Sequence, residues 1–114
     1  MIAGGARFRK PQRLESDDVA AALKAGTARR NDRFRLSARP TALAYARLAL
    51  VVPKRFAPRA VDRNRVRRLI RETFRLNQLK LAGQDLVVRL TAPIGDSPVS
   101  RAEIESLLLG GRHA

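Results

Sequence analysis

Arg63, Asn64, Arg65, Arg67, Arg68, Arg71 and Arg75 crowd one short stretch, opposed there only by Asp62 and Glu72. Guanidinium forks match phosphate oxygens two hydrogen bonds at a time. So many of them on one segment repel one another unless something strongly anionic lies against them. The chemistry this spacing suits is recognition of a phosphate backbone. A solvated surface helix is the plain alternative, but such helices usually intersperse acids, and seven arginines fall between Arg59 and Arg75.

Bond-breaking chemistry has few candidates. There is no cysteine, which removes disulfides, thiolate metal sites and cysteine nucleophiles. The single histidine, His113, sits next to the end of the sequence given. No serine–histidine–acid set, no carboxylate cluster with metal-ligand spacing and no glycine-rich phosphate loop is present. A phosphodiester-cleaving polypeptide normally needs clustered acids for metals or a histidine base. The chain is therefore expected to bind nucleic acid without cutting it.

The charge supports the same class. The 114 residues carry a formal net charge of +14, with 24 Lys and Arg against 10 acids. All of the excess lies in residues 1–75, where 20 cations meet six acids, while residues 76–114 are neutral and read as scaffold. A polyanionic partner follows. No apolar run approaches the ~20 residues that span a bilayer, and the first residues lack a signal-peptide core. A cytoplasmic protein without a membrane partner is expected.

The elements that must position these groups can be read in order. Residues 1–12 lack periodicity and form a basic arm ahead of one domain over 13–110, with 111–114 as a tail. Ser16 caps a short helix with Asp17 and Asp18 at its positive end, and Gly26 stops it. Val19, Ala22 and Leu23 face inward. After the Asn31-Asp32 turn, Arg33–Arg39 alternates, placing Arg33, Arg35 and Arg39 on one face and Phe34, Leu36 and Ala38 on the other. A second strand runs from about Tyr45 to Val52, where Pro53 ends it. Lys54–Arg59 is a basic loop. The arginine-rich helix follows, with Val66, Leu69, Ile70 and Thr73 on its apolar side and Phe74 at the edge; its pattern extends through Leu81 to Gly83. Asp85–Leu90 is a buried strand. Ser100 and Glu103 form a capping box for a last helix burying Ile104, Leu107 and Leu108, ended by Gly110-Gly111. The fold class is α+β, a small sandwich with helices on a mainly antiparallel sheet.

Leu50-Val51-Val52-Pro53-Lys54-Arg55, followed by Arg63-Asn64-Arg65-Val66-Arg67-Arg68-Leu69-Ile70-Arg71, closely resembles the bacterial ribonuclease P protein component family, whose hallmark is this "RNR" helix after a basic strand end. The resemblance implies a two-layer αβββαβα arrangement from about Arg13 to Leu109, with an unusual left-handed βαβ crossover. It implies a catalytic RNA subunit that uses bound Mg2+ to remove the 5′ leader of precursor tRNA. The protein, one per RNA, would dock on that RNA and touch the leader, binding no cofactor of its own. Carried across, the RNA contacts are Arg63, Asn64, Arg65, Arg67, Arg68 and Arg71, with Lys54 and Arg55 at the strand end. The leader cleft, between the first helix and the open sheet face, would draw on Phe34, Arg33, Arg35, Val19 and Leu23. Core packing is equally open for Phe34, Val19 and Leu23. Val19 and Leu23 stand where the family usually has aromatics, so base stacking should be weak. Pro53 replaces a small residue and Ala49 a common glycine. Rival readings are a ribosomal-type or RNA-chaperone protein with no processing role, and a DNA-compacting or regulatory protein.

Overall fold

A computed structural model describes residues 16–25 and 27–110. The basic arm, the side chains of the expected Ser16-Asp17-Asp18 cap, Gly26 and the 111–114 tail lie outside the described residues. The elements run α1 (Ser16–Ala25), β1 (Thr27–Arg30), β2 (Phe34–Pro40), β3 (Arg47–Val51), α2 (Ala60–Leu76), β4 (Gln84–Leu90) and α3 (Arg101–Leu109). The sheet order is β1-β2-β4-β3. β2 pairs antiparallel with β1 and with β4, and β3 runs parallel to β4. The connection through α2 is therefore a βαβ crossover between neighbouring strands.

Side-chain alternation gives the sheet two unlike faces. Phe34, Leu36, Leu48, Leu86, Val88 and Leu90 point to one of them and meet Val66, Ile70 and Phe74 of α2 and Ile104, Leu107 and Leu108 of α3. This is the main core. Burying each such side chain contributes roughly 1.5–3 kcal/mol. Among the described residues, the opposite face carries only α1, whose Ala22 and Val19 pack on Val87, Ala49 and Val51. Helices thus lie on both faces, and α1 stands on the open face where the first helix was expected to bound the cleft. Leu23, expected inward, is 44% exposed, because the small Ala22 makes the close approach to the sheet.

α2 ends five residues earlier than its apolar pattern suggests. Asn77 is buried, its amide donates to the Thr73 carbonyl at 2.8 Å, and its backbone leaves helical geometry at φ −119° and ψ 13°. A separate turn then tucks Leu81 into the core.

α3 is docked by β1 and the turn that follows it. Arg29 donates to the Leu107 and Leu108 carbonyls at 3.1 and 2.8 Å, and the Asn31 amide to the Glu103 carbonyl at 3.1 Å. Ser100 Oγ accepts from the Glu103 N–H at 3.2 Å, which is half of the expected capping box. The Glu103 carboxylate does not return to Ser100; it holds Arg33 at 2.7 and 3.0 Å. Gly110 ends the helix at φ +71°, and a Cβ there would fall 2.7 Å from Arg29 Nη1. Gly110→Ala should cost about 1–2 kcal/mol from left-handed backbone strain alone. The check is a lower urea midpoint at unchanged m-value.

Candidate nucleic-acid interface

The outer side of α2 is where the cations collect. Val66, Ile70, Thr73 and Phe74 are buried and Leu69 is half-buried, so the helix can only turn Asn64, Arg65, Arg68 and Arg71 outward, and all four are exposed. Arg67 is half-buried at the margin of that face. The two acids are spent locally. Arg59 bonds Asp62 at 2.8 Å, and Arg75 bonds Glu72. Those hydrogen bonds hold both carboxyls below the usual carboxylate range. Arg63 turns back, its Nη1 donating to the Ala57 and Pro58 carbonyls at 3.0 and 2.8 Å. It fixes the entry to the helix. Arg65, Arg67 and Arg68 have no ion pair among the described residues.

The loop before the helix is shaped by Pro53, whose carbonyl accepts from the Phe56 and Ala57 N–H groups, both at 3.1 Å. Lys54 and Arg55 are left exposed, and the Arg55 guanidinium lies 4.7 Å from the centre of the Phe56 ring. Lys54, Arg55, Arg67 and Arg89 line one open groove with Leu50, Val51, Val52 and Pro53. Arg89 lies in the part of the chain expected to be plain scaffold.

Arg89 joins this groove to the α1 side of the sheet, which the register divides into three rows. Arg39, Asp85 and Arg47 form one row and are mutually paired. Ala28, Ser37, Val87 and Ala49 form the middle row, two of whose members contact α1. The third row is Arg30, Arg35, Arg89 and Val51. Like charges on directly opposed strand positions destabilise a sheet. No acid among the described residues neutralises these three arginines. A run of phosphates would. The row and the groove together make a continuous cationic band from β1 across the sheet to α2.

A family model described as Ribonuclease P matches residues 8–109. The chain belongs to that family. Its relatives include the ribonuclease P protein component of Chromobacterium violaceum, 46% identical over 84 residues, covering 73% of this chain and 69% of that one. The component from Bordetella parapertussis is 41% identical over 112 residues, covering 89% and 87%. The solved ribonuclease P protein of Thermotoga maritima superimposes with a TM-score of 0.69 at 30% identity, covering 86% of this chain and 92% of that one.

Within the family frame, the candidate cleft residues separate. Arg35 stands on the open face beside Arg89. Val19 is half-buried under α1, and Leu23 is exposed beside it. Phe34 belongs to neither group: it is fully buried on the opposite face, in the main core. Arg33 also leaves the cleft. It precedes β2, and its guanidinium bonds Glu103 and the carbonyls of Ile94, Ser97 and Pro98. The strict alternation that placed Arg33 with Arg35 fails because the strand begins only at Phe34. Arg30 and Arg89 were missed. Arg89 lies out of phase with Leu86, Val88 and Leu90, which marks it as outward, but only the strand register shows that Arg35 is its neighbour. Among the described residues, no three His, Asp or Glu side chains gather as a metal site, and no helix is long and apolar enough to cross a membrane.

Proposed function

We propose that this protein docks on the catalytic RNA of ribonuclease P through Asn64, Arg65, Arg67, Arg68 and Arg71, with Lys54 and Arg55 extending the contact. Arg63 acts beside them by holding the start of α2. One protein binds one RNA, in the cytoplasm. The 5′ leader of precursor tRNA lies along the Arg30–Arg35–Arg89 band, beside Val19 and Leu23. With aliphatic groups in place of aromatic ones there, the leader is held by its phosphates more than by stacked bases. Leader removal is the RNA's chemistry, with Mg2+ held by RNA; the polypeptide positions substrate and neutralises charge.

The observation that carries this reading is the junction at Arg67 and Arg89, where the helix face and the sheet face share one groove. The experiment is reconstitution. Purified protein, ribonuclease P RNA and precursor tRNA are mixed at low magnesium, where leader release should exceed that of either component alone. Absence of stimulation would favour a ribosomal-type or RNA-chaperone role instead.

A further inference from the structure

A second cleft lies along the other flank of α2, at the edge of the main core. Asp62, Arg65, Val66 and Leu69 share one stripe of the helix and form one wall of a cleft; Ile94, Gly95, Asp96, Pro98 and Val99 form the other. The cavity is about 200 Å³, below the ~300–1,000 Å³ that takes a drug-sized ligand. It is the size for one ring system. Its floor is apolar, with Val66 buried and Leu69, Ile94 and Val99 half-buried.

The loop wall is held in place before any ligand arrives. Arg33, anchored on Glu103, donates to the carbonyls of Ile94, Ser97 and Pro98, and the Ile94 N–H donates to the Phe56 carbonyl at 3.0 Å. Two charged groups at the mouth are uncommitted. Asp96 on the loop and Arg65 on the helix are exposed, and neither side chain has a hydrogen-bond partner among the described residues. Asp62 differs, since both of its oxygens are taken by Arg59.

We infer that this cleft takes an unpaired guanine base of an RNA. A flat heterocycle fits a slot with an apolar floor and a charged rim, and a carboxylate such as Asp96 accepts from two N–H donors side by side. Among the four bases only guanine presents that pair, at N1 and the exocyclic N2. Adenine and cytosine set an acceptor beside their amino group, and uracil flanks its single N–H with two carbonyl oxygens. Arg65 is placed for the attached phosphate. An acid on this surface would repel a phosphate backbone, so it reads the base edge, the mode by which unpaired RNA bases are told apart. The inference uses the RNA-facing assignment of α2 only to name the source of the base.

The test uses the full chain and free nucleotides. In 1H–15N spectra, GMP and guanosine should shift the amides of Arg65, Leu69, Gly95 and Asp96, and AMP at equal concentration should not. Asp96→Asn, at an exposed position, should weaken guanine binding by about tenfold or more, the size of a good bidentate base contact. Val99→Phe, which fills the slot, should abolish it. Equal shifts with AMP and GMP, shifts confined to Lys54, Arg55 and Arg89, or GMP binding that survives in Asp96→Asn would each overturn the site. An RNA oligomer with one unpaired guanine should give the same shifts more tightly than GMP; if GMP is the tighter ligand, the RNA source is wrong. Loss of GMP binding with intact leader release in the reconstituted enzyme, or the reverse, separates this site from the docking function.

Discussion

Asp85→Asn is expected to lower the unfolding free energy by about 3 kcal/mol, the low end of the 3–5 kcal/mol typical when a buried ion pair loses one partner. The Asp85 side chain is fully buried, and its carboxylate joins two strands that do not touch each other. Arg47 of β3 reaches it with Nε and Nη2, both at 2.8 Å, and Arg39 of β2 with Nη2 at 2.7 Å. The low end applies because the arginine side chains keep 26% and 18% of their exposure, so water can solvate part of the charge that remains. Burial pushes the Asp85 carboxyl up, but the hydrogen bonds and charges of Arg47 and Arg39 outweigh it and leave the carboxyl below the ordinary range. The native state therefore binds fewer protons than the unfolded state in acid. The stabilisation is complete above the unfolded-state value near ~3.9 and drains away as pH falls through the folded value. Urea titrations of both proteins should show a gap that is wide at neutral pH and narrows below about pH 4. A gap independent of pH would mean that the carboxylate's charge is not what matters.

Arg67→Ala combined with Arg71→Ala should cut affinity for ribonuclease P RNA by roughly one to two decades near 0.1 M salt, and flatten log K against log salt by about 0.7–0.9 for each phosphate no longer neutralised. Any loss of stability, read separately by urea unfolding, should be small beside the loss of affinity, since Arg67 is only half-buried and Arg71 is exposed. The two measurements together separate docking from folding. Arg101, exposed at the start of α3, supplies the control: reversing its charge should leave both affinity and slope nearly intact. If the double variant bound as tightly and with the same slope, the α2 face would not be the docking surface.

How far the molecule could be read beforehand depended on whether the relevant interactions were local. The two sides of α2 follow from 3.6-residue periodicity, and Val66, Ile70, Thr73 and Phe74 are buried as the pattern requires. Ser100 caps α3, and Pro53 ends its strand's run, for equally local reasons. What depends on pairing between distant segments was hidden. Nothing in the order of residues sets Arg35 against Arg89, or Arg39 and Arg47 on Asp85. Arg33 was misplaced by a single residue of strand boundary, and that one position moves it from the open face to the α3 side. Phe34 was open between two sites because an aromatic residue suits a core and a nucleic-acid cleft alike. The register decides for the core.

The anchoring of α3 also bears on how the chain comes together in time. Arg29, Asn31 and Arg33 all reach for the final helix, across 70 to 79 positions of sequence. Closing so long a loop costs entropy before any contact repays it, and such topologies fold slowly. During synthesis, β1 and β2 leave the ribosome long before the carbonyls they are to bind. Until α3 emerges, Phe34 and Leu36 of β2 lack part of their apolar cover while the arginines of α2 are already present. The nascent chain therefore passes through an interval in which it is cationic but not yet closed, beside a ribosome made largely of RNA.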